Sequence, residues 1–315
     1  MTDIEVIKEL ALVDIPDIKP LETWSDQIKD RASGRYQKRG DVLPWAKTEN
    51  LLRLREGELV VWSGMSGHRK SLLLGQVMLH IASQGKQVAI ASLEMPPSGT
   101  AYRMARQAVG CNPSDEWVDK FTSTVGKNIR IFDVLQLTNP ERILGFLTNA
   151  AEHFGSRHVV IDSITKLGIG GEKRDDEIKF IQNLQDLTKR LKCTVHLVAH
   201  IRKPQGGDES YRPNKFDVRG SGQITDLADT VIGVWTNKLK EKSLRRQREG
   251  ITLNDKQTQS LLQPCMSLDV FKQRDGDFED SIALWFDQSS LQAVGADGAR
   301  PKEYLEKTAE NPLQP

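Results

Sequence analysis

The sequence predicts an α/β fold with a mostly parallel, twisted sheet flanked by helices and antiparallel strands at the sheet edge. Three observations predict it. Short apolar runs alternate with helical patterns from Gly57 to about Gln292. Two runs, HVVIDSI and TVHLVAH, carry hardly any polar alternation, as strands covered on both faces do. After Asp229 the helices drop out between MSLDVFKQRD and DSIALWFDQSS, so these strands add antiparallel to the edge.

The elements follow in order. Residues 1–56 are polar and broken by Pro16, Pro20 and Pro44, with short amphipathic helices expected over IEVIKELAL and LETWSDQIKDRA; this stretch is expected to be a linker or docking arm. Residues 57–295 form the expected main domain. ELVVWSG is a strand, KSLLLGQVMLHIASQG a helix, QVAIASLE a strand and SGTAYRMARQAVG a helix. NIRIFDV and PERILGFLTNAAEHFG repeat the unit, as do HVVIDSI and DEIKFIQNLQDLTKRLK, before TVHLVAH and TVIGVW. Residues 238–264 read as a charged insertion, and residues 296–315 as a polar, disordered tail.

Composition limits the partners. The formal net charge of +1 leaves any nucleic-acid surface to a local patch. Cys111, Cys193 and Cys265 lie far apart, with no zinc spacing, as suits a reducing compartment. MTDIEVIKEL lacks the apolar core of a signal peptide, and no run approaches membrane-spanning length, so a cytoplasmic protein with no membrane partner is expected.

Ligands of such sheets bind beyond the carboxyl ends of the strands, where the chemically distinctive residues fall. ELVVWSGMSGHRKS has the layout of a phosphate-binding P-loop. Backbone amides of Gly64, Ser66, Gly67, His68 and Arg69 would cradle the phosphates of ATP or another NTP; Lys70 would bind them as a point charge and Ser71 would ligate Mg²⁺. Arg69 stands where the pattern wants glycine. Asp162 ends a buried strand and can hold the metal opposite Ser71. Glu94 ends the strand after the P-loop helix, where a carboxylate can orient and deprotonate the attacking water. Ser163 fills the position after Asp162 in which many hydrolases carry that Glu. His200 ends another strand and can contact the γ-phosphate.

The signal then weakens. The loop 203–218 carries Lys203, Arg212, Lys215 and Tyr211, which would suit single-stranded nucleic acid. Asp208, Glu209 and Asp217 dilute that charge, and composition alone favours an ordinary surface loop. Gly220 and Gly222 permit close backbone approach, and Arg219 could meet a phosphate. Lys272 and Arg274 share one strand face; an anion from a neighbouring subunit would relieve their repulsion, with Arg274 as an arginine finger. The local pattern by itself favours a strand edge guarded by charge.

Taken in order, GMSGHRKS, SLEMPP, VVIDSITKL, VAHIRKP, RGSGQITDLADTVIGVW and FKQRDG resemble the RecA-like motor domain of DnaB-type replicative helicases, on the phage primase-helicase and mitochondrial Twinkle branch. The resemblance covers roughly residues 56–290. It implies a RecA-like P-loop NTPase that works as a hexameric ring, hydrolyses NTP with Mg²⁺ between subunits and pulls single-stranded DNA through the centre. It implies Lys70 on phosphate, Ser71 and Asp162 on metal, Glu94 as base and His200 as sensor, with Lys272 and Arg274 acting in trans. Lys203, Arg212, Lys215, Arg219 and Gly220 would touch DNA, and the N-terminal segment would dock on a neighbour. A primase or polymerase is the implied replication partner, and a phage-infected bacterial host the implied setting. Two departures stand out: Arg69 in the P-loop, and the lack of primase motifs. Two other readings use the same residues. One is a RecA-like recombinase or regulatory ATPase without unwinding; the other is a nucleotide-binding assembly protein in which Arg69 impairs hydrolysis.

Overall fold

Successive residues of a strand point to opposite faces, so a strand that is apolar throughout must be covered twice. The computed structural model describes residues 19–134, 138–169, 174–201, 210–218 and 222–305, and it builds the fold on that rule. The strands are β1 (Asp41–Val42), β2 (Arg53–Leu54), β3 (Leu59–Gly64), β4 (Val88–Ser92), β5 (Ile129–Ile131), β6 (His158–Asp162), β7 (Thr194–His200), β8 (Thr230–Thr236), β9 (Met266–Gln273), β10 (Ser281–Asp287) and β11 (Gln292–Val294). Numbered over the described residues, the helices are α1 (Ser25–Ala32), α2 (Lys70–Ser83), α3 (Pro97–Val109), α4 (Asp115–Ser123), α5 (Pro140–Glu152), α6 (Arg174–Leu191), α7 (Gln223–Leu227), α8 (Lys238–Arg248) and α9 (Asp255–Leu261).

A nine-stranded sheet runs in the order β11-β10-β9-β8-β3-β7-β6-β4-β5. From β5 to β8 neighbouring strands are parallel; β9, β10 and β11 add antiparallel at one side, as the sequence predicts. Val60 and Trp62 of β3 enter one core with Leu73, Val77 and Met78 of α2 and Met104 of α3. Leu59 and Val61 enter the other with Ile143 and Leu147 of α5 and Phe180 and Leu184 of α6. Among the described residues, no helix is long and apolar enough to cross a membrane.

The chain divides into two compact units, Met1–Arg39 and Gly40–Pro315, rather than near residue 56. The reason is the short β1–β2 pairing, which brings Leu43, Trp45, Leu52 and Leu54 into the first core. The indole of Trp45 donates to the Ala293 carbonyl at 2.8 Å. A polar relay fastens the same segment. Trp62 Nε1 donates to His196 Nδ1 at 3.1 Å; His196 Nε2 lies 3.0 Å from His158 Nδ1, and His158 Nε2 lies 2.8 Å from Asp41 Oδ2. The Trp62 donor fixes His196 as an acceptor on Nδ1, so the proton on its Nε2 points toward His158. Within the stretch expected as a polar tail, Tyr304 and Leu305 are also buried in this core. In the N-terminal unit α1 forms where expected and buries no residue; the helix expected over IEVIKELAL lies outside the described residues.

At the end of the sheet where β3 begins, Glu58 is buried against Arg55, with Nη1 to Oε1 at 3.4 Å. Burial pushes its carboxyl up to about 7; Arg55 opposes the shift and Asp229 adds to it. A carboxyl whose folded pKa is raised favours the fold below its unfolded value, and that stability is lost as pH rises toward 7. Glu58→Gln is therefore expected to raise the melting temperature relative to wild type more at pH 8 than at pH 5. Equal effects at both pH values would contradict a buried, proton-binding Glu58.

Candidate nucleotide site

Parallel register gathers the site. Gly64 at the end of β3 pairs with His200 at the end of β7, and Ser92 of β4 pairs with Asp162 of β6. Lys70 and Ser71 open α2 after the loop 65–69 that follows β3. The five residues Lys70, Ser71, Glu94, Asp162 and His200 thus meet around one end of the parallel sheet.

Lys70 Nζ donates to the carbonyls of Gly64 at 2.9 Å and Met65 at 2.8 Å, and lies 3.4 Å from His200 Nδ1. Burial pushes its pKa down to about 8, against the opposing charges of Asp162 and Glu94. The Ser71 hydroxyl bonds Asp162, and burial raises that carboxyl despite the bond. Glu94 Oε1 accepts from Ser163 Oγ at 2.5 Å and lies 3.0 Å from His200 Nε2. The His200 bond is the largest cause holding Glu94 down at about 2; burial opposes it, and Ser163 adds to it. Ser163 was noted in the sequence only as standing where many hydrolases carry a Glu, and Thr165 was not singled out; Thr165 Oγ1 lies 2.5 Å from Ser163 Oγ and donates to Glu94 at 3.4 Å.

The turn combines tightly packed glycine with left-handed backbone. A Cβ on Gly64 would lie 2.4 Å from the Val234 carbonyl of β8, so the neighbouring strand itself demands glycine. Gly67 has φ 78. Arg69 adopts φ 63, ψ 21 as the N-cap of α2, in the left-handed region, at a cost of about 1–2 kcal/mol for a side chain other than glycine. Its guanidinium lies 2.7 Å from Glu241 Oε1 on α8 and 3.7 Å from the centroid of Phe286 on β10. Arg69 therefore points away from Lys70, toward the insertion. Ser66, Gly67, His68 and Arg69 face α8 and Phe286 across a cavity of about 480 Å³.

Ser71 and Asp162 offer hard oxygen donors side by side, and no group of three His, Cys, Asp or Glu among the described residues could hold a metal. That sparse set fits Mg²⁺, which keeps waters and takes one or two protein ligands beside phosphate.

Other expected residues lie apart. Lys272 Nζ donates to the Thr225 carbonyl at 3.0 Å and that of Asp226 at 2.8 Å; Arg274 Nη1 bonds Asp229 Oδ1 at 2.7 Å. Gln273 pairs with Thr230, and Thr230 with Val60, so these cations sit at the opposite end of the sheet from Gly64. Within their own chain, the carbonyls of Thr225 and Asp226 and the carboxylate of Asp229 lie against these two cations. Arg212 is drawn onto β9 and β10 by Asp269, at 2.6 Å and 3.2 Å, and by Ser267 and Ser281. Tyr211 donates to Asp217 at 2.8 Å, so its hydroxyl braces the loop. Lys215 remains at the surface, 5.3 Å from the ring of Phe216, which is 79% exposed. Gly222 has an ordinary helical φ of −52. Lys203, Arg219 and Gly220 lie outside the described residues.

A P-loop opening a helix, with acidic residues at the ends of adjoining parallel strands, defines a nucleotide-binding protein of RecA-like fold. The family model described as AAA domain matches residues 32–206, more than half of the chain, and the chain belongs to that family. It is 24% identical over 213 residues to a DNA helicase/primase of Enterobacteria phage T3, covering 60% of this chain and 37% of that protein. The chain thus spans little more than a third of that relative. The solved ATPase domain of G40P superposes with a TM-score of 0.68 at 17% identity, covering 89% of this chain and all of that one. A DnaB-like replicative helicase, solved in a study of its interactions with primase, gives 0.63 at 16% identity, covering 92% and 70% of the two chains. The fold is that of DnaB-type RecA-like motor domains.

Proposed function

We propose that the chain is the NTP-hydrolysing motor of a replicative DNA helicase, moving on single-stranded DNA as a hexameric ring. The observation that carries this reading is the separation of its charges. Lys70, Ser71, Glu94, Asp162 and His200 meet at one end of the sheet, whereas Lys272 and Arg274 lie at the other. A site that uses both sets must draw them from two subunits, as head-to-tail contacts in a ring do. Similarity to a phage DNA helicase/primase supports DNA as the track. A primase or polymerase is the expected partner, and the cytoplasm of a phage-infected bacterium the expected setting.

In this reading the loop amides and Lys70 bind the phosphates, and Glu94 orients and deprotonates the attacking water. Mg²⁺, held by Ser71 and Asp162, would neutralise charge on the β- and γ-phosphates. A carboxylate held at about 2 is a weak base. Transfer of His200 from Glu94 to the γ-phosphate removes the main cause of that depression, so phosphate binding itself would arm the base. Lys215 beside the exposed Phe216 offers a cation and a stacking face to single-stranded DNA.

Phosphate release measured with and without single-stranded DNA, beside native mass with and without nucleotide, tests the motor. Unwinding of forked DNA separates a helicase from a RecA-like recombinase or regulatory ATPase. Glu94→Gln is expected to retain nucleotide binding and to lose turnover by about 10²-fold or more. Undiminished steady-state hydrolysis would remove Glu94 from the role of base.

A further inference from the structure

The end of β8 and the charged insertion together grip the phosphate loop at three successive residues. Lys238 Nζ donates to the Gly67 carbonyl at 3.0 Å. The Thr236 amide donates to His68 Nδ1 and its hydroxyl to the His68 carbonyl, both at 3.1 Å. Glu241 pairs with Arg69 through one oxygen at 2.7 Å and with Lys238 through the other at 2.8 Å. The Arg69–Glu241 contact is partly shielded, with side-chain exposures of 23% and 30%, and Phe286 closes the other face of the guanidinium. Of these contacts, those of Glu241 and Phe286 fall on Arg69, a loop residue that holds a left-handed backbone without being glycine.

We propose that Glu241 is a positioning residue for the phosphate loop: through the Arg69 guanidinium it holds that backbone in the conformation a glycine would adopt unaided. Arg69 and α8 then form one device. The ion pair fixes the side chain, and the side chain fixes the turn whose amides must converge on phosphate. Preorganising a binding loop raises affinity by removing the ordering step from binding. The insertion thereby acquires a role in the nucleotide site without touching the nucleotide. The proposal rests on the nucleotide-binding reading of this loop.

The experiment compares four full-length proteins: wild type, Glu241→Ala, Arg69→Gly and the double variant. Equilibrium binding of a fluorescent, non-hydrolysable ATP analogue is measured with Mg²⁺ present, and hydrogen exchange of the amides of residues 65–70 without nucleotide. Glu241→Ala is expected to weaken binding by about tenfold and to speed exchange in the Arg69 chain. In the Arg69→Gly background the same change should do little to either, because glycine needs no brace. A fifth protein, Glu241→Gln, which keeps an acceptor for the guanidinium, should recover part of the affinity. Equal losses in both backgrounds would overturn the proposal and place the effect in Lys238 or in folding of α8. No loss in either background would overturn it as well. If wild type binds no triphosphate, the nucleotide reading falls, and exchange across the four proteins still decides whether Glu241 orders the loop.

Discussion

Lys70→Ala is expected to fold and to lose nucleotide hydrolysis, by at least about 10² to 10³-fold, the scale for removing one electrostatic donor from a transition state. The side chain is buried, and its ammonium is the only charged group that donates to Gly64 and Met65 among the described residues. Alanine leaves those carbonyls exposed to whatever enters and leaves Asp162 and Glu94 without the cation that opposes them. A triphosphate arriving there would meet two carboxylates without the ammonium that offsets them. Wild type supplies a companion test. Burial pushes the Lys70 pKa down to about 8, so its ammonium is present below that pH and is lost as pH rises through it. Triphosphate affinity should decline above about pH 8, and the decline should be missing in Lys70→Ala. Retained hydrolysis in the variant would place the phosphates away from this loop.

What the sequence made legible follows from how parallel sheets are covered. β3, β4 and β6 are buried throughout and β7 over all but its last residue, so they read as apolar runs, and the polar residue closing each run marks the ligand end. Glu94, Asp162 and His200 were found that way, and Lys70 and Ser71 from the P-loop layout that follows β3. The β1–β2 segment was not legible, because its apolar residues Leu43, Trp45, Leu52 and Leu54 are spaced among turns and charges. Their burial depends on partners far along the chain, as with Trp45 and Ala293. The short helix α4 and strand β11 escaped for a related reason: neither is long enough to display a period.

Side-chain direction was the larger gap. Arg69 and Arg212 look alike in sequence, each a cation in a polar turn. One is held by Glu241 and the other by Asp269, at separations no local pattern carries. Lys272 and Arg274 were read as neighbours on one face awaiting an anion. Within its own chain the fold also gives Lys272 the carbonyls of α7 and Arg274 the carboxylate of Asp229. Sequence pattern located these residues on their elements, and long-range contacts decided what they touch.

That placement makes Arg274 the sharpest test of a shared site. Arg274→Ala is expected to keep the fold, because Asp229 still accepts the Leu59 amide at 2.9 Å and the lost ion pair is half exposed on the arginine side. Nucleotide binding should change little, since Arg274 lies at the far end of the sheet from Lys70 in its own chain. Turnover should nevertheless fall by about 10³ to 10⁵, the range for removal of an arginine finger. An arginine acting within its own subunit could not produce that pattern from such a position. If the finger enters a neighbour's site, mixing Arg274→Ala with Lys70→Ala protein creates interfaces that pair an intact phosphate loop with an intact arginine. Activity should then reappear in the mixture, with a maximum at intermediate ratios and none in either variant alone. Subunit exchange is checked separately by native mass. Full exchange with no regained hydrolysis at any ratio would sink the shared site, and with it the ring that this geometry supports.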